Sequence, residues 1–567
     1  MTPVLEKRLT QILAWGSLLI TIVVTDRIST DPVNVSKMFL LSIVGFSLIP
    51  IIFSQKLAIR TKIRTPLLGV IAFIVFASVS VFTSANTFER GLYGAFARNT
   101  GALTYTALGL VFLAATLVKL EESYLRILKF LLIAGLVNTV YCLITASGND
   151  FLVWQNPYNA VLGTFGNPNF IGSFMGIFFT FLAVQILDTN QSARIRITFA
   201  VVIPFVVLVI YFAKALQGTL VAAFGLTFAI YFYLRSKKRL EKVASLYLAF
   251  VFAAGFIAFL GILQKGPLAS LLYKPTVTYR GEYWKAGINM GLSHPFTGVG
   301  IDSYGIYYRT FRDLSSTVAP GMNVATDTSH NVFIDIFAGT GFPGLSAYIL
   351  INGFVLLVAL KHLRKFKVFD AKFLSLFLCW STYQLQSIIS INQIGLAIWG
   401  WLLGGLIVGY VYSQDETGIT VEKLVGKKVG AKRAARNQEN ALLDASTTLK
   451  ILVSALVGLL IALPPFLTDA KMRNFYSGKG DTQSVIALAK SWPVDNLRIS
   501  KIVTSLAMNN INEEARNLAI FGTTKFPNDY VSWWAVYTLT KDGTSEKSAI
   551  KAKLHEIDPY NPDYFSK

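Results

Sequence analysis

Apolar residues in this chain are gathered into long runs separated by polar stretches, and most runs approach the ~20 residues a helix needs to cross a bilayer. They lie at roughly 9 to 24, 36 to 53, 66 to 83, 101 to 118, 124 to 146, 169 to 187, 195 to 213, 215 to 234, 243 to 263, 330 to 360, 373 to 389, 393 to 412 and 449 to 467. The pattern predicts an all-α, polytopic membrane protein of about 13 transmembrane helices. The run from 330 to 360 is too long for one perpendicular span, and Gly339, Gly341, Pro343 and Gly344 interrupt it. It predicts a short interfacial helix carrying His330 and Asp335, a glycine-proline turn, and a transmembrane helix from about Leu345.

Two polar regions interrupt this alternation. Residues 264–329 form a loop far longer than a connection requires, which usually signals function. Residues 468–567 follow the last apolar run and predict a separate helical domain after a transmembrane domain at 1–467. In that tail Asp495, Asp529 and Asp563 recur 34 residues apart, each beside a proline. This is the period of tetratricopeptide helix pairs, and it predicts a helical-repeat domain with Trp533, Trp534, Ala535 and Tyr537 as packing positions. An unrelated small helical domain is the alternative.

Mean hydropathy is +0.53, with 53% hydrophobic and 15% charged residues, which excludes a soluble enzyme of this length. The formal net charge of +21 invites a nucleic-acid reading, but its distribution removes that reading. Lys and Arg crowd the N-terminus and every second connection, including Lys56, Arg60 and the basic loop 413–448. The short connections between carry only Arg27, Lys37, Arg90, Arg98 and Lys214. The positive-inside bias then predicts a cytoplasmic N-terminus, with the long loop and the tail external. Lys7 and Arg8 precede the first run without a small-residue cleavage site, so a retained signal anchor is expected. The run Lys427, Lys428, Lys432, Arg433 and Arg436 predicts a cytoplasmic loop touching anionic lipid. Cys142 and Cys379 both fall within spans and say nothing about redox compartment.

Basic residues are scarce in the external segments, so those present carry information. Arg280 lies four residues before Trp284, on one face if the segment is helical, with Glu282 near enough to restrain it. A guanidinium there can hold a phosphate through two parallel hydrogen bonds. Stacking on Trp284 or pairing with Glu282 is the structural alternative. His330 has two readings as well, a general base at the water-facing mouth or a helix cap with Asn331 bonding the turn. His294 precedes Pro295 in a turn, His362 is expected to be cytoplasmic, and His555 lies in the tail.

Arg280-x3-Trp284, the SHPFTGVGIDSYG stretch from Ser293 to Gly305, and His330-Asn331-x9-Gly341-x-x-Gly344 together resemble the O-antigen ligase family. That family includes O-antigen polymerases and bacterial O-linked oligosaccharyltransferases. The Asn167-Pro168-Asn169 segment is similar to the family's Asn-Pro-Asn segment, and the resemblance covers roughly residues 160 to 410.

The resemblance implies a cofactor-free, metal-independent glycosyltransferase of the bacterial inner membrane. Its donor would be a polyprenyl-diphosphate-linked glycan and its acceptor a hydroxyl on a lipid, a glycan or a protein, on the external face. His330 would be the base, supported by Asn331, and Arg280 would hold the departing diphosphate, with Trp284 and Asn169 supporting. No Asp-x-Asp pair occurs in the external segments, so arginine in place of a metal is the simpler account. One departure stands out. Family members often carry a second phosphate-binding arginine where the seventh span turns into the eighth, and Gln217 occupies that position here. Lys214, Arg98 or Arg90 could supply the missing charge. A protein O-oligosaccharyltransferase is the alternative within the family, with the external repeats as a surface for a protein partner. A lipid-linked glycan flippase or secondary transporter is the alternative outside it, against which the spans carry few ionisable residues.

Overall fold

The computed structural model describes residues 1–54, 61–365, 367–420, 433–478 and 480–564. Lys56, Arg60, Lys423, Lys427, Lys428 and Lys432 lie outside the described residues. Every ordered element among the described residues is helical or a turn. Each apolar run falls on a helix, and ten helices are long and apolar enough to cross a membrane. The other three runs differ for visible reasons. Pro3–Ile22 opens on Glu6, Lys7 and Arg8, Ala102–Ala115 has 14 residues, and Ala371–Ile389 is diluted by Ser, Thr and Gln. The protein is an all-α, multi-pass membrane protein.

Small residues set the closest approaches in the bundle. Helix Pro168–Leu187 begins with Asn167 accepting the N–H of Asn169 at 2.9 Å and with Pro168 in its first turn. It lies against Leu216–Ser236 through Gly172 and Gly218, where a Cβ on Gly218 would sit 2.6 Å from the Gly172 carbonyl oxygen. Lys37 is fully buried near the end of Pro3–Ile22 and donates to the carbonyls of Ile20 and Thr21 at 2.8 and 2.7 Å. A cation that reads as a loop charge in sequence is a helix C-terminal cap.

Helix Val332–Lys365 is broken at Gly341, whose φ of 66° and ψ of −167° suit only glycine. The loop after helix Pro275–Ser293 serves the backbone groups freed there. Pro295 O accepts Phe342 N–H at 2.7 Å, and Ala338 O accepts Val299 N–H at 2.8 Å. The expected interruption is present, but His330 is not on the helix. It precedes Val332 in a left-handed turn of φ 60°, and Asn331 forms the cap by accepting from Phe333 and Ile334.

The last apolar helix, Arg433–Tyr476, runs unbroken past Leu467. Five helices follow, Thr482–Lys490, Asn496–Met508, Asn512–Lys525, Tyr530–Leu539 and Ser545–Ile557, each packed on the next. Asp495 and Asp529 cap the second and fourth by accepting the N–H of Arg498 and Ser532, whereas Asp563 lies in a final single turn. The three consecutive residues expected to pack do not share a face. Trp533 and Ala535 lean on the core while Trp534 is 40% exposed, because neighbours on a helix point about 100° apart.

These helices share one apolar core with the long loop. Ala286, Met290, Tyr304 and Tyr308 from the loop pack in the same cluster as Ile499, Ile502, Leu518 and Leu554. Charge seals the joint. Asp558 is fully buried and accepts from Arg309 and Arg312, each at 2.7 Å. Arg90 donates to Asp302 O at 3.1 Å and to Asn496 Oδ1 at 3.0 Å, tying the 84–101 connection to both.

Candidate active site

Arg280 and Trp284 lie on helix Pro275–Ser293, so the four-residue spacing does place them on one face. Glu282 does not restrain Arg280. It is buried and accepts from Lys285 Nζ at 2.8 Å and from Ser315 Oγ at 2.6 Å. Arg280 is partly buried and makes no hydrogen bond or ion pair among the described residues. Burial lowers its pKa from the ordinary arginine value. Trp284 adds a second open donor, an enclosed Nε1 with no partner.

The His330 turn is strapped from behind. Ser329 donates to Asp335 Oδ1 from both its backbone N–H and its hydroxyl, each at 2.7 Å. Tyr283 covers the imidazole at 5.6 Å between ring centres, and Tyr304 Oη holds the Tyr283 carbonyl at 2.6 Å. Nδ1 lies 3.4 Å from both Thr328 O and Thr328 Oγ1; donation to the carbonyl, which can only accept, would put the proton on Nδ1 and leave the Nε2 lone pair available. Burial lowers the His330 pKa to about 4, and the positive charges of Arg98 and Arg280 add to the effect. The imidazole is therefore neutral at pH 7 and stands within the field of two arginines.

Arg98 reaches this site from the 84–101 connection. Its Nε and Nη2 both engage Asp327, at 2.7 and 2.6 Å. The loop that carries it is organised by Asp302 of the SHPFTGVGIDSYG stretch, whose Oδ2 accepts from Ala95 at 2.8 Å and Thr100 at 3.2 Å. No role for Asp302 or Asp327 was legible in the sequence. Asp302 was inside the motif, but nothing local signals that its partner lies some 200 residues away.

The remaining expected residues are placed apart. Lys214 donates to Asn159 O at 2.7 Å and lines a different cavity beside Tyr141 and Asp150. Gln217 is buried with both amide atoms unpartnered. Asn169 stands at the start of helix Pro168–Leu187, and Arg90 is committed to the joint with the C-terminal helices.

A protein-family model described as O-Antigen ligase matches residues 169–349. Residues 169–349 carry a domain similar to that of the O-antigen ligase family. The matched stretch begins at Asn169 and takes in Arg280, Trp284, the Ser293–Gly305 loop, His330 and the Gly341 break. No curated protein matches the chain significantly. The match supports glycosyltransferase activity of the O-antigen ligase kind in general, among membrane lipids and lipid-linked glycan. In the ligase domain, the family's His-Asn-x9-Gly pattern has a physical meaning. Asn331 caps the helix, Gly341 breaks it, and His330 is held out on the turn before it.

Proposed function

We propose that this protein transfers a glycan from a polyprenyl-diphosphate carrier to an acceptor hydroxyl at the outer face of a bacterial inner membrane, without a metal. The acceptor oxygen attacks the anomeric carbon as the carbon–oxygen bond to the diphosphate breaks. His330 Nε2 takes the hydroxyl proton, and polyprenyl diphosphate leaves with the bonding electrons. General-base help of this kind is typically worth about 100-fold to 10,000-fold.

One observation carries the reading. The uncommitted guanidinium of Arg280 acts electrostatically on the His330 imidazole, while the nearby carboxylates Glu282 and Asp327 are engaged by other partners. An anion is what completes that arrangement. A guanidinium offers a diphosphate parallel N–H donors, and the Trp284 indole N–H adds another. Anion binding also raises the basicity of His330, because it offsets the positive charge that depresses the imidazole. The base then becomes strong enough only when the donor is in place. Arg98 enters this scheme through its charge, since its fork is occupied by Asp327.

The distribution of Lys and Arg between alternate connections supports the external placement of the site. Purified protein given a polyprenyl-diphosphate glycan and lipid, glycan and peptide acceptors should release polyprenyl diphosphate without added metal, and His330→Ala should stop it. Undiminished transfer by His330→Ala or Arg280→Ala would sink the assignment, and activity abolished by chelator would retire the metal-free mechanism.

A further inference from the structure

A cavity of about 900 Å³ lies between the connections of the membrane helices and the C-terminal helices, and the reaction above leaves it without a role. Its size matches ligand sites, which run to roughly 1,000 Å³. Arg98 and Asp327 line it, and both also act electrostatically on His330. The salt-bridged pair is thus a wall shared by the cavity and the proposed base.

The rest of the lining has the chemistry of a saccharide site. Trp154 and Tyr158 present aromatic rings, and Trp154 is fixed by donation from its Nε1 to Asp150 Oδ2 at 3.0 Å. Planar amides come from Asn34, Asn167 and Gln393; each already bonds within the protein, Gln393 Nε2 to Asn34 Oδ1 at 3.2 Å among them, and each amide nitrogen and oxygen keeps a second donor or acceptor for a ligand. Aromatic faces accept the C–H face of a sugar ring while amides bond its hydroxyls, a division of labour usual in polar ligand sites.

Charge narrows the ligand further. The carboxylates of the lining are already engaged. Asp26 accepts Val153 N–H at 2.6 Å, Asp31 accepts the N–H groups of Val33, Asn34 and Val35, and Asp327 holds Arg98. The roof, from helices Arg433–Tyr476 and Asn496–Met508, supplies Arg473 and Lys501. Arg473 has no side-chain hydrogen bond or ion pair among the described residues, and Lys501 lies over the Phe96 ring at 5.2 Å. Two cations without carboxylate partners look into a chamber of aromatic and amide groups.

We propose that this cavity binds an acidic oligosaccharide, the sugar portion of a substrate, with Trp154 as its stacking platform and Arg473 and Lys501 reading its carboxylate or phosphate. The assignment rests on the glycosyltransferase reading, because His330 as transfer base is what brings a glycan to the shared wall. It also gives the C-terminal helices a direct part in substrate selection, since Lys501 belongs to them and Arg473 to the end of the helix that leads into them.

Binding is tested apart from chemistry. Full-length protein in lipid nanodiscs is mixed with a glucuronate-containing tetrasaccharide or with a neutral N-acetylglucosamine tetrasaccharide, and saturation-transfer NMR reports contact with each. The acidic sugar should receive saturation and the neutral one much less. Arg473→Gln with Lys501→Gln should weaken the acidic sugar about tenfold and bring it level with the neutral one. Trp154→Ala should remove binding and Trp154→Phe, which keeps a ring, should retain it. His330→Ala should still bind while transferring nothing, so that a failed chamber and a failed transferase give different results. Absence of saturation in both sugars, equal binding of both, or undiminished binding in Trp154→Ala overturns the proposal.

Discussion

Arg98 grips Asp327 through Nε and Nη2 at 2.7 and 2.6 Å, and the pair stands beside the imidazole of His330. Burial, Arg98 and Arg280 hold the His330 pKa near about 4, so the free base persists through neutral pH and is lost as pH falls through that value. kcat/KM for transfer, which reports the free enzyme, should stay flat down to mildly acidic pH. Arg98→Gln removes one cation and leaves Asp327 unpaired, and both changes raise the imidazole pKa. Its acid limb should move up toward the ordinary histidine value of about 6.5. A limb that stays in place would separate Arg98 from the base.

Arg280, unlike Arg90, Arg98, Arg309 and Arg312, has no hydrogen-bond or ion-pair partner among the described residues. Arg280→Gln should lower kcat by roughly 100-fold or more, the scale of losing a donor aimed at developing negative charge. Arg280→Lys, which keeps the charge without the fork, should fall between the two. Steady-state kinetics on a diphosphate-linked donor decide this, and equal rates for Lys and Gln would mean that charge is not what Arg280 supplies.

Gly341 cannot be exchanged for alanine. Its backbone lies in a region nearly restricted to glycine, and a Cβ there would meet Pro295 O at 2.4 Å. Gly341→Ala should cost about 1–3 kcal/mol from backbone strain alone, and it should loosen the Pro295 loop. Gly353→Ala, further along the same helix with open space around it, should be close to neutral. Thermal unfolding in detergent compares the two, and similar melting points would contradict the strain argument.

Asp558 sits fully buried between Arg309 and Arg312. Asp558→Asn leaves two buried guanidinium groups without their counter-charge, a loss of about 3–5 kcal/mol for a broken buried pair. The joint between the long loop and the C-terminal helices should open first. Limited proteolysis should then cleave within 480–564 faster than in the parent, and an unchanged cleavage pattern would show that the pair is not what holds these helices.

Sequence alone determined the class of the protein, because apolar runs of membrane length leave helices as the only way to satisfy backbone groups. It also located the break at Gly341, since Gly and Pro change the backbone locally. The helical spacing of Arg280 and Trp284 was legible for the same reason. Tertiary structure decided everything that depends on partners distant in the chain. It took Glu282 away from Arg280, set Arg98 against Asp327, and committed Arg90 to the joint with the C-terminal helices. It kept Lys214 in another cavity and moved His330 off the helix onto the turn before it. An arginine's availability depends on which carboxylates lie within hydrogen-bond reach, and that distance is fixed by packing between segments hundreds of residues apart.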